Sequence, residues 1–376
     1  MGKNSATARG SSILRPARNA LSQPMMTVFT PSFADESDTN AQNLTVKEVV
    51  ARLAPDKFRV VMLYEQAPDA RIVKRPNTVL LRWRRHGNTP RVLLHCLWDV
   101  PDVYFFPREG PLDAAFLRLR HALRLKTALV TYVVSGGLYL SPPPRPTMAR
   151  NVREGDATFG NCSYLSSLVQ QRFGVEAGVR YDGVDRRFFF PPGESRKSAH
   201  PLRVLFAGSL RSYKRADLVV RQAARWPQVR FRIAGQGEEE QKCRHLASEL
   251  GCTNVDFLGH LSPTQLGEEM RRADVFFFPS ILEGHPQVLG QAAASGLPAV
   301  AMNIYRPEFV LNGKTGFLVE SDDELEQKLD LLLSQPALRQ SMSPAAVAHS
   351  QQFDWDRITL QWQDAFEAAV ARRRAR

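Results

Sequence analysis

Between residues 204 and 302, short apolar runs alternate with longer amphipathic ones, and this alternation constrains the chain more than any other feature. Residues 204–207, 229–234, 255–258, 275–278 and 299–302 read as nearly continuous apolar segments. Strands that are apolar on both faces belong to a parallel sheet covered by helices on both sides. Residues 216–224, 238–250 and 287–294 have helical spacing between them, and Ser262-Pro263 joins an N-cap to a proline at the first helical position. The expected class is α/β, with ligands bound outside the carboxyl ends of the strands.

The first half is harder to read. Residues 26–29, 58–63, 78–81 and 128–134 are strand-like, residues 44–53 have helical spacing, and residues 31–43 read as a polar loop. Residues 82–125 show no clear period. The Pro-rich run 141–146 reads as loop, and the turn formers and charges of 189–198 suggest a linker at 191–200. A length of 376 residues suits two domains at ~100–200 residues each. Hydrophobic residues at 43% and charged residues at 23% exclude a disordered or fibrous chain. The longest mostly apolar stretch, 127–140, contains Ser135, Gly136 and Gly137 and is too short for a bilayer span.

Residues 1–24 are basic, lack an apolar run, and are expected to form a disordered tail without a secretory signal. Cys96, Cys162, Cys243 and Cys252 form no CxxC pair, which suggests reduced thiols in a cytoplasmic protein. The net charge is +12, all of it within residues 1–200. Its densest cluster is Arg71, Lys74, Arg75, Arg82, Arg84, Arg85 and Arg91, with Trp83 among them. That pattern suits an anionic membrane surface or a phosphate-bearing substrate, or else a solvated face. Charge alone would also admit nucleic acid, which is not the expected partner.

Polar and glycine-rich clusters follow four strands of the second half. They are 207–215 (containing Gly208, Ser209, Arg211, Lys214 and Arg215), 233–237 (Gly235 and Gly237), 257–260 (Gly259 and His260) and 278–291. Gly235 and Gly237 would admit a close backbone approach, and Lys214 and Arg215 could meet phosphate as cations. In the fourth cluster, Gly284-His285-Pro286 precedes a helix that opens on Gln287, Val288 and Leu289. Its unpaired amides and the positive end of its dipole make an anion site. Glu283 stands just before that terminus, where a carboxylate either caps the helix or accepts bonds from sugar hydroxyls. Gln291 lies about 7 Å further along the helix axis, at the distance of a ribose on the same ligand.

These segments, with Asp182-Gly183-Val184-Asp185, 274–280, 295–301 and 312–319, occur in the order found in retaining glycosyltransferases of the GT-B fold, family 4, which the chain resembles over residues 155–335. The resemblance implies two Rossmann-like domains facing a cleft. Residues 25–190 would form the acceptor domain, 201–350 the nucleotide-sugar donor domain, and 351–376 a helix returning to the first. It gives Glu283 the donor sugar, Gln291 the ribose and Lys214 the phosphates, so Glu283 and Lys214 become the catalytic candidates. It implies a UDP- or GDP-sugar donor, a saccharide or lipid-linked hydroxyl acceptor, retention of configuration, and neither cofactor nor required metal.

The chain departs from the family pattern in four places. Gln291 stands where the family has Glu, Ser209 where it has Arg, and residues 130–135 lack its histidine. Residues 38–43 replace its glycine-rich loop and put Asn40 and Asn43 on the acceptor side. Gln291 keeps hydrogen-bonding capacity but loses the charge. Asp354-Trp355-Asp356 resembles a metal-binding Asp-x-Asp but reads as the start of the last helix. Other readings are a GT-B nucleotide-sugar epimerase, a catalytically weak donor-binding module and, on charge alone, a nucleic-acid-binding protein.

Overall fold

The computed structural model describes residues 25–36, 41–84, 87–134, 146–193 and 201–376. These build two sheets in which every strand pairing is parallel. The first contains β1 (Met26–Phe33), β2 (Phe58–Tyr64), β3 (Thr78–Arg82), β4 (Val103–Phe105), β5 (Ala128–Val133), β6 (Ala157–Gly160) and β7 (Gly178–Val179), in the order β3-β2-β1-β4-β5-β6-β7. The second contains β8 (Arg203–Ala207), β9 (Arg230–Ala234), β10 (Val255–Gly259), β11 (Val275–Phe278), β12 (Ala299–Met302) and β13 (Gly316–Val319), in the order β10-β9-β8-β11-β12-β13. Each sheet reverses its winding once, between β1 and β4 and between β8 and β11, which places a crevice beyond the carboxyl ends of those strands. This is the GT-B architecture, two Rossmann-like α/β units.

The apolar runs of the second unit become β8 to β12, and their side chains form one continuous core. Ser262 caps the helix Pro263–Arg272 by accepting from the Gln265 amide, and Gln265 returns a bond to Ser262. The first unit departs more from the sequence reading. β1 continues through Pro31 to Phe33 with a register shift, and the next helix already begins at Ala41, so the expected loop 31–43 is much shorter. The unparsed middle holds β4 and the helices Asn88–Trp98 and Pro111–Ala122. Pro146 opens a helix rather than ending a loop.

The last helix, Trp355–Ala375, lies against the first sheet, capped by the Asp354 carboxylate on the Asp356 amide at 2.8 Å. Its Trp355, Ile358, Trp362, Phe366 and Val370 belong to the first unit's core. The chain crosses between units at Gly183, where a Cβ would come within 2.5 Å of the Trp355 ring. Val184 donates to the Phe353 carbonyl there at 2.7 Å.

The basic cluster seen in the sequence does not form one surface. Arg71 is paired with Asp69 and Glu48, and Arg75 is buried, donating to the Leu53 and Phe58 carbonyls at 2.9 Å. Trp83 packs edge-on against Phe33. Lys74, Arg82 and Arg84 remain exposed. Residues 1–24, Asn40, Arg85, Ser135 to Gly137, the Pro-rich segment 141–145 and linker residues 194–200 lie outside the described residues. No helix among the described residues is long and apolar enough to cross a membrane.

Candidate functional site

The loops after β8 and β11 are stitched together by backbone. Tyr213 offers its carbonyl to the Ile281 amide at 3.0 Å and to the Ser280 hydroxyl at 3.4 Å. That seam brings Lys214 to Glu283, and the two side chains form an ion pair with only 12% of each exposed. Ser280 donates to the same Glu283 oxygen at 2.6 Å. The Lys214 ammonium also lies 5.2 Å from the Phe278 ring and 5.6 Å from the Tyr213 ring, where aromatic faces favour a cation. Tyr305, which the sequence reading missed, is buried beside them. Burial, with the charge of Glu283, holds its phenol well above the usual range.

The helix Gln287–Ala294 begins at Pro286, and no side chain caps its first amides. Gly284 is pressed against the other unit, since a Cβ there would lie 2.3 Å from the Val134 carbonyl after β5. The carboxyl edges of the two sheets therefore meet at this loop. Gln291 is half-buried, and its Oε1 is buried without a hydrogen-bond partner among the described residues.

The His285 side chain is buried rather than open to the loop. Its ring is stacked on Phe309 at 3.8 Å and enclosed by Tyr181 and Phe353, with neither nitrogen bonded. Burial holds the imidazole down at about 3. What the residue can offer a ligand here is its backbone.

The glycines after β9 have a reason inside the chain. A Cβ on Gly235 would fall 1.8 Å from the Gly208 carbonyl oxygen, and one on Gly237 would fall 2.4 Å from that of Leu210. The room they leave is filled by the loop after β8, which the Gly208 and Leu210 amides tie to the Ala234 and Gln236 carbonyls at 2.9 Å. These glycines thus set the shape of the loop carrying Lys214. Arg215 turns away to pair with Asp322 at the start of the helix Asp322–Ser334. Ser209, Arg211 and His260 are exposed and Gly259 half-buried, while Val288 and Leu289 belong to the helix Gln287–Ala294.

Across the seam, Gln287 donates to the Thr45 hydroxyl at 3.3 Å, and Thr45 donates to Asp182 at 2.8 Å. Tyr132 and Asn161 donate to the same carboxyl at 3.1 and 2.8 Å. Asp182 is fully enclosed, and burial pushes it up to about 6 in spite of those bonds. Glu308, between β12 and β13, accepts from the Ser163 amide at 3.0 Å, the Ser163 hydroxyl at 2.6 Å and the Tyr181 hydroxyl at 3.2 Å. Asn43 accepts from Arg108 at 2.6 Å, and Arg108 also reaches the Ser32 hydroxyl at 3.0 Å. Thr45, Arg108, Ser163 and Glu308 were not singled out from sequence, and only Thr45 stands in a run read as periodic. Among the described residues, no group of three or more His, Cys, Asp or Glu is placed to hold a metal ion. Asp354 and Asp356 serve as a helix cap and a partner of Arg52.

Residues 192–349 match the family model described as glycosyl transferases group 1. The chain is 35% identical over 201 residues to D-inositol 3-phosphate glycosyltransferase of Mycobacterium leprae, covering 48% of this chain and 46% of that protein. It is 31% identical over 168 residues to an uncharacterized glycosyltransferase of Haemophilus influenzae, covering 42% and 47%. The matches thus span about half the length of these curated relatives. Among solved structures, sucrose-phosphate synthase from Thermosynechococcus elongatus superimposes with a TM-score of 0.77 at 17% identity, over 92% of this chain and 98% of that one. Anabaena HepE in complex with UDP and glucose superimposes with a TM-score of 0.73 at 16% identity, over 92% and 100%. The alignable fold therefore extends over both units, while the sequence match is concentrated in the second.

Proposed function

We propose that this protein is a glycosyltransferase that moves a sugar from a UDP- or GDP-sugar to a hydroxyl of a saccharide or lipid-linked acceptor. The observation that carries the reading is the Lys214–Glu283 pair at the entry of an uncapped helix, within the segment that matches the family model. A diphosphate would draw Lys214 and the first amides of the helix Gln287–Ala294 toward its charge. Glu283 would then be free to accept hydroxyls of the sugar, still oriented by Ser280. The buried Oε1 of Gln291 would accept from a ribose hydroxyl.

As the bond from the anomeric carbon to the diphosphate oxygen breaks, charge grows on that oxygen. Lys214, exposed Arg211 and the helix amides would stabilise it, which is the task a divalent ion performs elsewhere. With retention, the acceptor hydroxyl attacks from the face the diphosphate leaves, and its proton passes to the departing phosphate oxygen. No protein base is needed in that scheme.

The test is thermal stabilisation by UDP and GDP, followed by turnover of a panel of nucleotide sugars with and without acceptors. D-inositol 3-phosphate, which the Mycobacterium relative's name gives, belongs in that panel. Lys214→Ala should weaken nucleoside-diphosphate binding by about 1–3 kcal/mol. Unchanged affinity would remove Lys214 from the site. Conversion of donor to an epimer without acceptor would replace the transferase reading with the epimerase one.

A further inference from the structure

The amino-terminal edge of the first sheet, opposite the loops described above, joins two distant parts of the chain. Arg373 donates to the Leu125 carbonyl at 3.0 Å, 248 positions away, and Arg374 pairs with Asp102 at 2.7 Å. Leu125 stands just before β5 and Asp102 just before β4, so the basic end of the last helix lies at this edge. The helices Asn88–Trp98 and Pro111–Ala122 pack side by side over one core and also end here.

Two features coincide at the edge. Trp98 is 83% exposed, Leu123 54% and Val100 43%. Leu94, one helical turn before Trp98, is 66% exposed on the same stripe. On the same edge, Arg124 and Lys126 follow Leu123 before β5 and Arg372 precedes Arg373, which reaches Leu125; all three are exposed and have no carboxylate partner among the described residues. The nearby acids are engaged: Asp99 with Arg59, Asp102 with Arg374, and Asp156 with Arg120.

We propose that this edge docks on an anionic lipid bilayer. Trp98, Leu123 and Val100 enter the headgroup boundary, where an indole is favoured, while Arg124, Lys126 and Arg372 meet the lipid phosphates. Stable peripheral attachment takes two signals, and this edge supplies both an apolar and a basic one. The exposed aliphatic groups are what separate a bilayer from nucleic acid, whose phosphate backbone gives them no partner. The cluster at Arg71 to Arg91 that the sequence suggested is not this surface. The proposal stands apart from the donor site, which lies at the opposite edge.

The experiment is co-sedimentation of the full chain with vesicles of phosphatidylcholine alone or with about one-third phosphatidylglycerol, at low and at roughly 0.5 M salt. Binding is expected to anionic vesicles only, and to fall steeply with salt. The double variant R124E/K126E should lower the partition coefficient at least ~20-fold, each basic group near such a surface being worth about fivefold. W98A/L123A should weaken it several-fold, with far-ultraviolet circular dichroism and UDP or GDP stabilisation unchanged. Equal binding to both vesicle types, or anionic binding that these variants leave intact, overturns the proposal. Tighter binding to duplex DNA, abolishing vesicle capture in competition, overturns it in favour of nucleic acid.

Discussion

The two sheets wind alike but close differently. The second is covered by helices drawn from its own stretch of chain, and one continuous core runs from Val184 to Phe353. The first needs the last helix, whose Trp355, Trp362 and Phe366 fill one of its faces. A unit built this way cannot complete its core without the helix Trp355–Ala375, whereas its neighbour has no such dependence. The clearest way to break that comparison is Trp362→Ala. The indole is fully buried, with ring centroids 4.9 Å from Phe105, 5.0 Å from Tyr132 and 5.4 Å from Phe159. Truncating such a residue costs ~3–5 kcal/mol. Hydrogen exchange should quicken across β1 to β7 and leave β8 to β13 protected. Equal loss in both sheets would show one cooperative unit and end the distinction.

The proposed chemistry falls mainly on the second unit, and Glu283→Gln sharpens that difference. The amide keeps the shape and the bond from Ser280 but loses the charge that faces Lys214. Sugar transfer should fall ~100-fold or more while nucleoside-diphosphate affinity changes by less than about threefold, because the charge matters most where the transition state is polarised. Equal losses in turnover and affinity would assign Glu283 to helix capping and ligand binding.

Legibility followed the same division. In the second unit the strands are short, nearly continuous apolar runs, and β8 to β11 each end at a glycine or polar cluster, so β8 to β12 and the Lys214, Glu283 and Gln291 positions stood out in the sequence. In the first unit β4 has only three residues, between Pro101 and Pro107, and the helix Asn88–Trp98 carries Pro90 in its first turn and Leu94 and Trp98 in solvent. No pattern of period 2 or 3.6 survives that mixture. Contacts across the seam, such as Gln287 to Thr45, join residues 242 positions apart and leave no local trace. Gly235 and Gly237 were visible, but their partner was the chain's own carbonyls, which only coordinates reveal.

Two buried titratable groups, one from each unit, allow a comparison by pH. His285 is held at about 3 against an ordinary 6.5, so as pH falls through that window the unfolded chain takes up a proton and the folded one does not. Its contribution makes stability fall with decreasing pH, by up to ~1.4 kcal/mol per unit. Asp182 is raised to about 6 against an ordinary 3.8, so the folded chain holds the extra proton and stability falls as pH rises between those values. The two slopes oppose each other from about pH 4 to pH 6. His285→Phe should steepen the loss on the rising side, and Asp182→Asn the loss on the falling side, in denaturant midpoints measured at half-unit steps. Identical profiles for both variants and the parent would contradict the burial argument.

The smallest expected effect tests whether the seam itself is a device. Glu308 gathers three donors from the first unit on one carboxylate, two of them from Ser163 at the start of the helix Ser163–Phe173, where negative charge is favoured. Glu308→Gln keeps the acceptor oxygen and removes the charge, a loss of about 1 kcal/mol. If the contact holds the units together over the donor, that loss should appear as roughly fivefold weaker donor binding, with a larger radius of gyration before donor is added. Ser163→Ala removes only the 2.6 Å hydroxyl bond and should fall between parent and Glu308→Gln. Parent-like affinity and dimensions in both variants would mean that other contacts, such as the Trp355 crossover, the Gly284 contact and the Gln287–Thr45 bond, suffice to join the units, and that Glu308 merely caps a helix.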